Sequence, residues 1–235
     1  PWTLLPELAL AHGLGITGLT DWNSPSWSIS TEFWTYLVFA ALVLGFRRQM
    51  ALAATIVAVL SLGVLVSVST TGMDVTFDYG FLRCLAGFFT GVLTLMLWRI
   101  VKDRVVLPMP TLLEVATLVV MIGFVTLAGR TALSYAAPFV FGMAVLVFSF
   151  QRGALSYMLL TRPMQAIGEW SYAIYMTAYF IALIFNLKIV PRFPDAPMDG
   201  IALAYLACVL IASWLAYKII ETPTRAFFNR LAAKL

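Results

Sequence analysis

Charge is scarce in this chain. Asp, Glu, Lys and Arg make up 11% of its 235 residues, where a soluble globule carries about a quarter. There is a single histidine, His12, and only two cysteines, Cys84 and Cys208, both inside apolar runs. Two thiols and one imidazole do not supply the ligand spacing of a zinc site, and they exclude a disulfide framework. The sequence has no GxxxxGK[ST] phosphate loop and no GxSxG elbow, so ATP-driven transport and serine-hydrolase chemistry have no support. No repeat of fixed period and no low-complexity linker is visible.

What is present in quantity is apolar length: 62% of residues are hydrophobic. Seven runs are long enough to be read as crossings of a bilayer core. They are Trp27–Phe46, Met50–Val68, Tyr79–Trp98, Thr111–Ala128, Ala136–Phe150, Trp170–Leu187 and Ile201–Ile220. The expected fold is an all-α polytopic transmembrane helix bundle. Residues 1–26 form an external lead-in, 27–220 the seven spans and 221–235 an amphipathic tail carrying Phe227, Phe228, Leu231, Arg225 and Arg230. The segment from Gln151 to Glu169 reads as an interfacial helix broken at Pro163.

The net charge of +4 is a matter of loops, not of a nucleic-acid surface. Eleven of the 15 Lys and Arg fall in alternate loops: Arg47, Arg48, Arg99, Lys102, Arg104, Arg152, Arg162, Lys218, Arg225, Arg230 and Lys234. Positive loops favour the cytoplasm, which places residue 1 outside and Leu235 inside. The opposite loops hold Asp21, Asp74, Asp78, Asp195 and Asp199.

The first span is the unusual one. Ser28, Thr31, Glu32, Thr35 and Tyr36 follow helical spacing and predict one polar face. Hydrocarbon offers no partners, so that face is expected to meet helices or a water-filled cavity. Arg83 lies at similar depth on the third span and is the expected partner of Glu32. The pair reads either as a structural ion pair or as one wall of a polar site. Gly87, Thr90, Gly91 and Thr94 on Arg83's face predict close helix packing. Glu114 reads as a complement to the dipole of its own helix. Ser171, Tyr172, Tyr175, Thr177 and Tyr179 make the sixth span polar.

Four stretches carry a resemblance. "PSWSISTEFWTY" resembles the P-x-W-S-x-S-x-E-x-x-x-Y signature of the acyltransferase-3 family of integral membrane acyltransferases. "FLRCLAGFFTGVL", "IGEWSYAIYMTAY" and "IIETPTR" resemble later segments of that family, in the same order. The resemblance implies O-acyl transfer, with acyl-CoA (acetyl-CoA) as donor substrate, no bound cofactor and no metal. The acceptor it implies is a hydroxyl of a surface or exported glycan or a lipid-linked sugar, in a bacterial inner membrane. It maps Ser26, Trp27, Ser28, Glu32 and Tyr36 onto the signature and Arg83, Ser171, Tyr172, Tyr175 and Glu221 onto the later segments. Ala178 stands where many members have His. About ten spans are usual, which implies three before residue 1. The main catalytic histidine is then expected upstream of this chain, and residues 1–235 alone are expected to be inactive. His12 is read as part of the lead-in.

The chemistry fits those residue types. A sugar hydroxyl needs a positioned base to attack a thioester, and the oxyanion formed needs donors. Glu32 would orient or support acid–base transfer, Arg83 would hold it, and Ser26, Trp27, Ser28, Tyr36, Ser171, Tyr172 and Tyr175 would bind substrate. The alternative is a transporter or flippase whose polar stripe lines a path; no pair of interrupted helices in two repeated halves supports it.

Overall fold

The structure is a computed structural model that describes residues 4–16, 25–76, 78–194 and 196–233. Asp21, Asp195 and Lys234 of the charge pattern lie outside them. Among the described residues every regular element is helical: α1 (Leu4–Leu8), α2 (Ser26–Phe46), α3 (Met50–Val68), α4 (Gly80–Val101), α5 (Pro110–Ala128), α6 (Ala137–Ser149), α7 (Ala154–Leu159), α8 (Arg162–Glu169), α9 (Ser171–Ile184), α10 (Met198–Ala216) and α11 (Thr222–Ala232). Six stretches are long and apolar enough to cross a membrane. The first, Ser26–Val68, holds both α2 and α3, parted by a 3-10 turn at Arg47–Gln49. The all-α polytopic bundle expected from the sequence is therefore the observed fold, and the protein is an integral membrane protein.

The chain divides into two compact units, Pro1–Leu160 and Thr161–Leu235. In the first, Met50, Ala54 and Ala58 of α3 meet Leu85 and Phe89 of α4, with Val38, Phe39 and Leu42 of α2 against them. Lipid is as apolar as these side chains, so the association rests on close packing rather than on removal from water. Alanines on α3 provide that closeness, and Phe39, Phe88 and Phe89 fill it with edge-on rings 5.3–5.4 Å apart for the Phe88 pairs. At the far ends of the helices, Tyr135 Oη donates to the Ser69 carbonyl at 3.0 Å and the Met73 amide donates to Ser134 Oγ at 2.8 Å. These two bonds tie the loop before α4 to the loop before α6.

Glu114 corrects its expected role. Its carboxylate is buried, 2% exposed, and caps the start of a different helix, α7. It accepts from Gly153 N (2.9 Å), Ser156 N (3.1 Å) and Ser156 Oγ (2.5 Å). The amides of a helix start have no intrahelical acceptor, so the carboxylate satisfies α7 rather than its own helix. Gly153 leaves the room: a Cβ there would overlap the Glu114 carboxyl group.

In the second unit α9 and α10 pack together, joined by Thr177 and Ser213 hydroxyls 2.8 Å apart and by Tyr205 Oη donating to the Ala178 carbonyl at 3.3 Å. Pro163 begins α8 instead of breaking it; the interruption falls between α7 and α8. Proline suits the first turn, where its missing N–H is no loss. The α10 backbone runs through a π-helical turn, Tyr217–Glu221, straight into α11.

Replacing Glu114 with Ala should lower stability by about 2 kcal/mol, because the buried amides of Gly153 and Ser156 lose a charged acceptor. Thermal unfolding in detergent measures it, and Glu114→Gln, which keeps an acceptor oxygen, should lose less.

Candidate active site

α2 begins inside the signature, and its first three turns bury a row of hydroxyls. Ser26, Ser30, Thr31 and Thr35 face inward. The expected single polar face is split: Thr31 and Thr35 turn into the protein, while Glu32 and Tyr36 stay exposed with Ser28 at their edge. The reason is angular. At 100° per residue, positions 26, 30, 34, 27, 31 and 35 fill one half-turn, and positions 28, 32 and 36 form a row beyond it.

The inward face receives the lead-in. Ser30 Oγ donates to the Leu10 carbonyl at 2.5 Å and accepts from the Gly13 amide at 2.9 Å. Trp34 Nε1 donates to the same Leu10 carbonyl at 2.8 Å. Gly13 lies so close to α2 that a Cβ on it would sit 2.6 Å from the Trp27 carbonyl oxygen. These contacts carry the 3-10 turn His12–Leu14 and bury His12 to 2% exposure.

His12 Nε2 lies 3.0 Å from Ser26 Oγ. On the other edge of the ring, Nδ1 is 3.4 Å from Glu7 Oε2. That contact is within ion-pair distance but lacks hydrogen-bond alignment, so Nδ1 has a charge neighbour and no formal hydrogen bond. Ser26 Oγ also donates to Glu7 Oε2 at 3.3 Å. A hydroxyl, an imidazole and a carboxylate thus meet pairwise. Sequence reasoning missed this cluster, although the signals were there: the lone histidine sits beside a glycine, and Ser26 and Ser30 stand one turn apart.

Arg83 does not pair with Glu32: no ion pair joins them among the described residues. Its Nη1 donates to the Met73 and Val75 carbonyls at 3.2 and 3.1 Å, and its guanidinium lies over the Trp27 ring, 5.7 Å from the centroid. Similar depth along two helices says nothing of direction, and Glu32 points to the exposed side. Gly80, where α4 starts, admits Trp27; a Cβ there would come within 2.9 Å of the ring. In the second unit Ser171, Tyr172 and Tyr175 lie on the outward side of α9, Thr177 is engaged with Ser213, and Glu221 pairs with Arg225 at 2.5 Å. Among the described residues no group of three or more His, Cys, Asp or Glu is placed to hold a metal.

A protein-family model described as an acyltransferase domain matches residues 1–218. The chain belongs to this acyltransferase family. Comparisons with curated proteins and with solved structures give no match. The protein is thus a membrane acyltransferase in general terms, and the cluster around His12 brings together a hydroxyl, an imidazole and a carboxylate. With a proton on Nδ1, beside the Glu7 carboxylate, the Nε2 lone pair accepts from Ser26 Oγ once that hydroxyl turns its one proton from Glu7 to the ring.

Gly13→Ala should push the His12 turn off α2. Carbethoxylation of His12 by diethyl pyrocarbonate, slow in the wild type because the ring is buried, should rise several-fold.

Proposed function

We propose that this acyltransferase moves an acyl group, acetyl in the simplest case, from acyl-CoA to a hydroxyl of a surface or exported glycan or a lipid-linked sugar. The observation that carries the reading is the contact between the signature's Ser26 and buried His12, with Glu7 on the ring's other edge. A hydroxyl acceptor needs its proton taken as it attacks, and this is an arrangement for taking it.

In this mechanism the acceptor hydroxyl hydrogen-bonds to Ser26 Oγ. As its oxygen bonds to the thioester carbonyl carbon, its proton passes through Ser26 to His12 Nε2, and Glu7 stabilises the imidazolium. The C–S bond then breaks and the departing CoA sulfur recovers the proton. The row of exposed Glu32 and Tyr36 with half-buried Ser28 at its edge supplies a carboxylate, a ring and a hydroxyl for sugar recognition. Within the second unit, Ser171, Tyr172 and Tyr175 keep the substrate-binding role that the resemblance implies. The orientation follows the basic loops, with the lead-in outside a bacterial inner membrane and the tail in the cytoplasm, so in this reading the donor thioester reaches the His12 cluster through the protein and CoA returns to the cytoplasmic side. This gives His12 a task that the family resemblance gives to an upstream histidine, and the two assignments part in one experiment.

Acyl ester released by mild alkali from surface glycans and lipid-linked sugars should appear in cells carrying the full-length protein. His12→Gln should lower it at least about 100-fold at equal protein level, in keeping with the loss of a general base. Ser26→Ala should lower it about 10-fold or more, since a water can replace the relay in part. Full ester with His12→Gln returns the base to the upstream residue; no ester with any variant or the wild type removes these acceptors. Glu32→Gln should raise the acceptor KM several-fold with a smaller change in kcat, and an unchanged KM would take Glu32 out of the site.

A further inference from the structure

Arg83 is charged, lies inside a candidate span, and has no carboxylate partner among the described residues. Two carbonyls engage its Nη1, which leaves three of the five guanidinium donors without a partner there. Carbonyls and the Trp27 ring soften the position of the charge without neutralising it. A lone cation at membrane depth costs up to about 3 kcal/mol on insertion scales, so an anion there has something to gain.

Arg83 lines a cavity of about 660 Å³ among α4, α5 and α6. The other charged groups around it are Asp74 and Arg130, which cancel in an ion pair of 2.6 Å. One positive charge is left over, at Arg83. Below it the walls turn apolar, with Phe124 on α5 and Phe141 and Val145 on α6. Gly87 and Gly91 form the α4 wall, and a Cβ on either would meet nothing within 4 Å. They were expected to let helices pack closely. That role falls instead to Gly142, where a Cβ would lie 3.0 Å from Thr94 Oγ1. The two α4 glycines open a slot, and from Arg83 to Gly91 it descends about 12 Å along the helix.

We propose that this cavity seats a single-chain lipid phosphate, its phosphate on Arg83 and its hydrocarbon chain between α4, α5 and α6. The uncancelled positive charge suits an anionic head, and one slot matches one chain. Arg83 also lies over Trp27, the neighbour of Ser26, so a sugar carried on that phosphate is delivered toward the His12 cluster. The identity of the occupant as the acceptor's lipid carrier rests on the acyl-transfer reading; the cavity's preference for phosphate does not.

The test uses the full-length protein in dodecyl maltoside, with a diazirine-bearing dodecyl phosphate and the matching dodecanol as photoprobes. The phosphate probe should label peptides spanning 87–91 or 141–145 at least 5-fold more than the alcohol. Arg83→Gln should bring the two probes level. Gly91→Leu should cut labelling at least 5-fold with an unchanged melting temperature, because the new side chain enters open space. Farnesyl phosphate should displace the probe, and two-chain phosphatidylglycerol at the same concentration should not. Equal labelling by phosphate and alcohol, labelling that survives Gly91→Leu, or displacement by phosphatidylglycerol overturns the proposal. Ester formation is read separately: ester without phosphate-selective labelling fells the cavity assignment alone, and selective labelling without ester fells the acyl-transfer reading alone.

Discussion

The Ser30 hydroxyl serves the lead-in twice, giving a hydrogen bond to the Leu10 carbonyl and taking one from the Gly13 amide. A buried turn leaves backbone groups that hydrocarbon will not satisfy, and leaving one unmade costs about 1–3 kcal/mol. Ser30 removes both demands with one small side chain. Everything proposed for His12 follows from that, because the ring sits on the turn those bonds hold. The same logic runs along the first turns of α2: small hydroxyls face in, Trp27 and Trp34 seal the edges, and Gly13 and Gly80 give way for them.

Two carboxylates show how far partners, rather than depth, decide a charge's role. Glu114 and Glu32 both stand on membrane-length helices. Glu114 meets the amides of α7 and is thereby committed to structure. Glu32 meets no cation among the described residues and faces outward beside Tyr36. The acid that the fold has not consumed is the one left available to a ligand. Arg83 is the cationic counterpart, with its donors partly spent and its charge intact.

The helices were legible because length and hydropathy act residue by residue. Met50–Val68 was read with both ends as observed, and Thr111–Ala128 differs from α5 by one residue. Family membership was legible in "PSWSISTEFWTY", whose residue types and spacing survive as written. Pairing was not. Counting along α2 and α4 puts Glu32 and Arg83 at one level, but which way each points depends on how the helices rotate against each other, and that is set by Trp27 entering at Gly80. The His12 cluster was hidden for another reason: it lies in a segment with no hydrophobic period to read, and its position comes from bonds to residues 17 to 20 places later.

The unbroken passage from α10 through the π turn into α11 gives a helical stretch of 35 residues, Met198–Ala232. At 1.5 Å per residue that is about 52 Å, against roughly 30 Å of hydrocarbon. Lys218 reaches over the Trp214 ring, 5.1 Å from its centroid, as a side chain does at a lipid–water boundary. The rod outruns its solvent there, yet Phe227, Phe228 and Leu231 still lie ahead with their side chains uncovered. Tilt alone does not absorb a mismatch of about 20 Å. The surroundings of this tail therefore change with bilayer thickness, and a thinner or thicker membrane is felt along Phe227, Phe228 and Leu231.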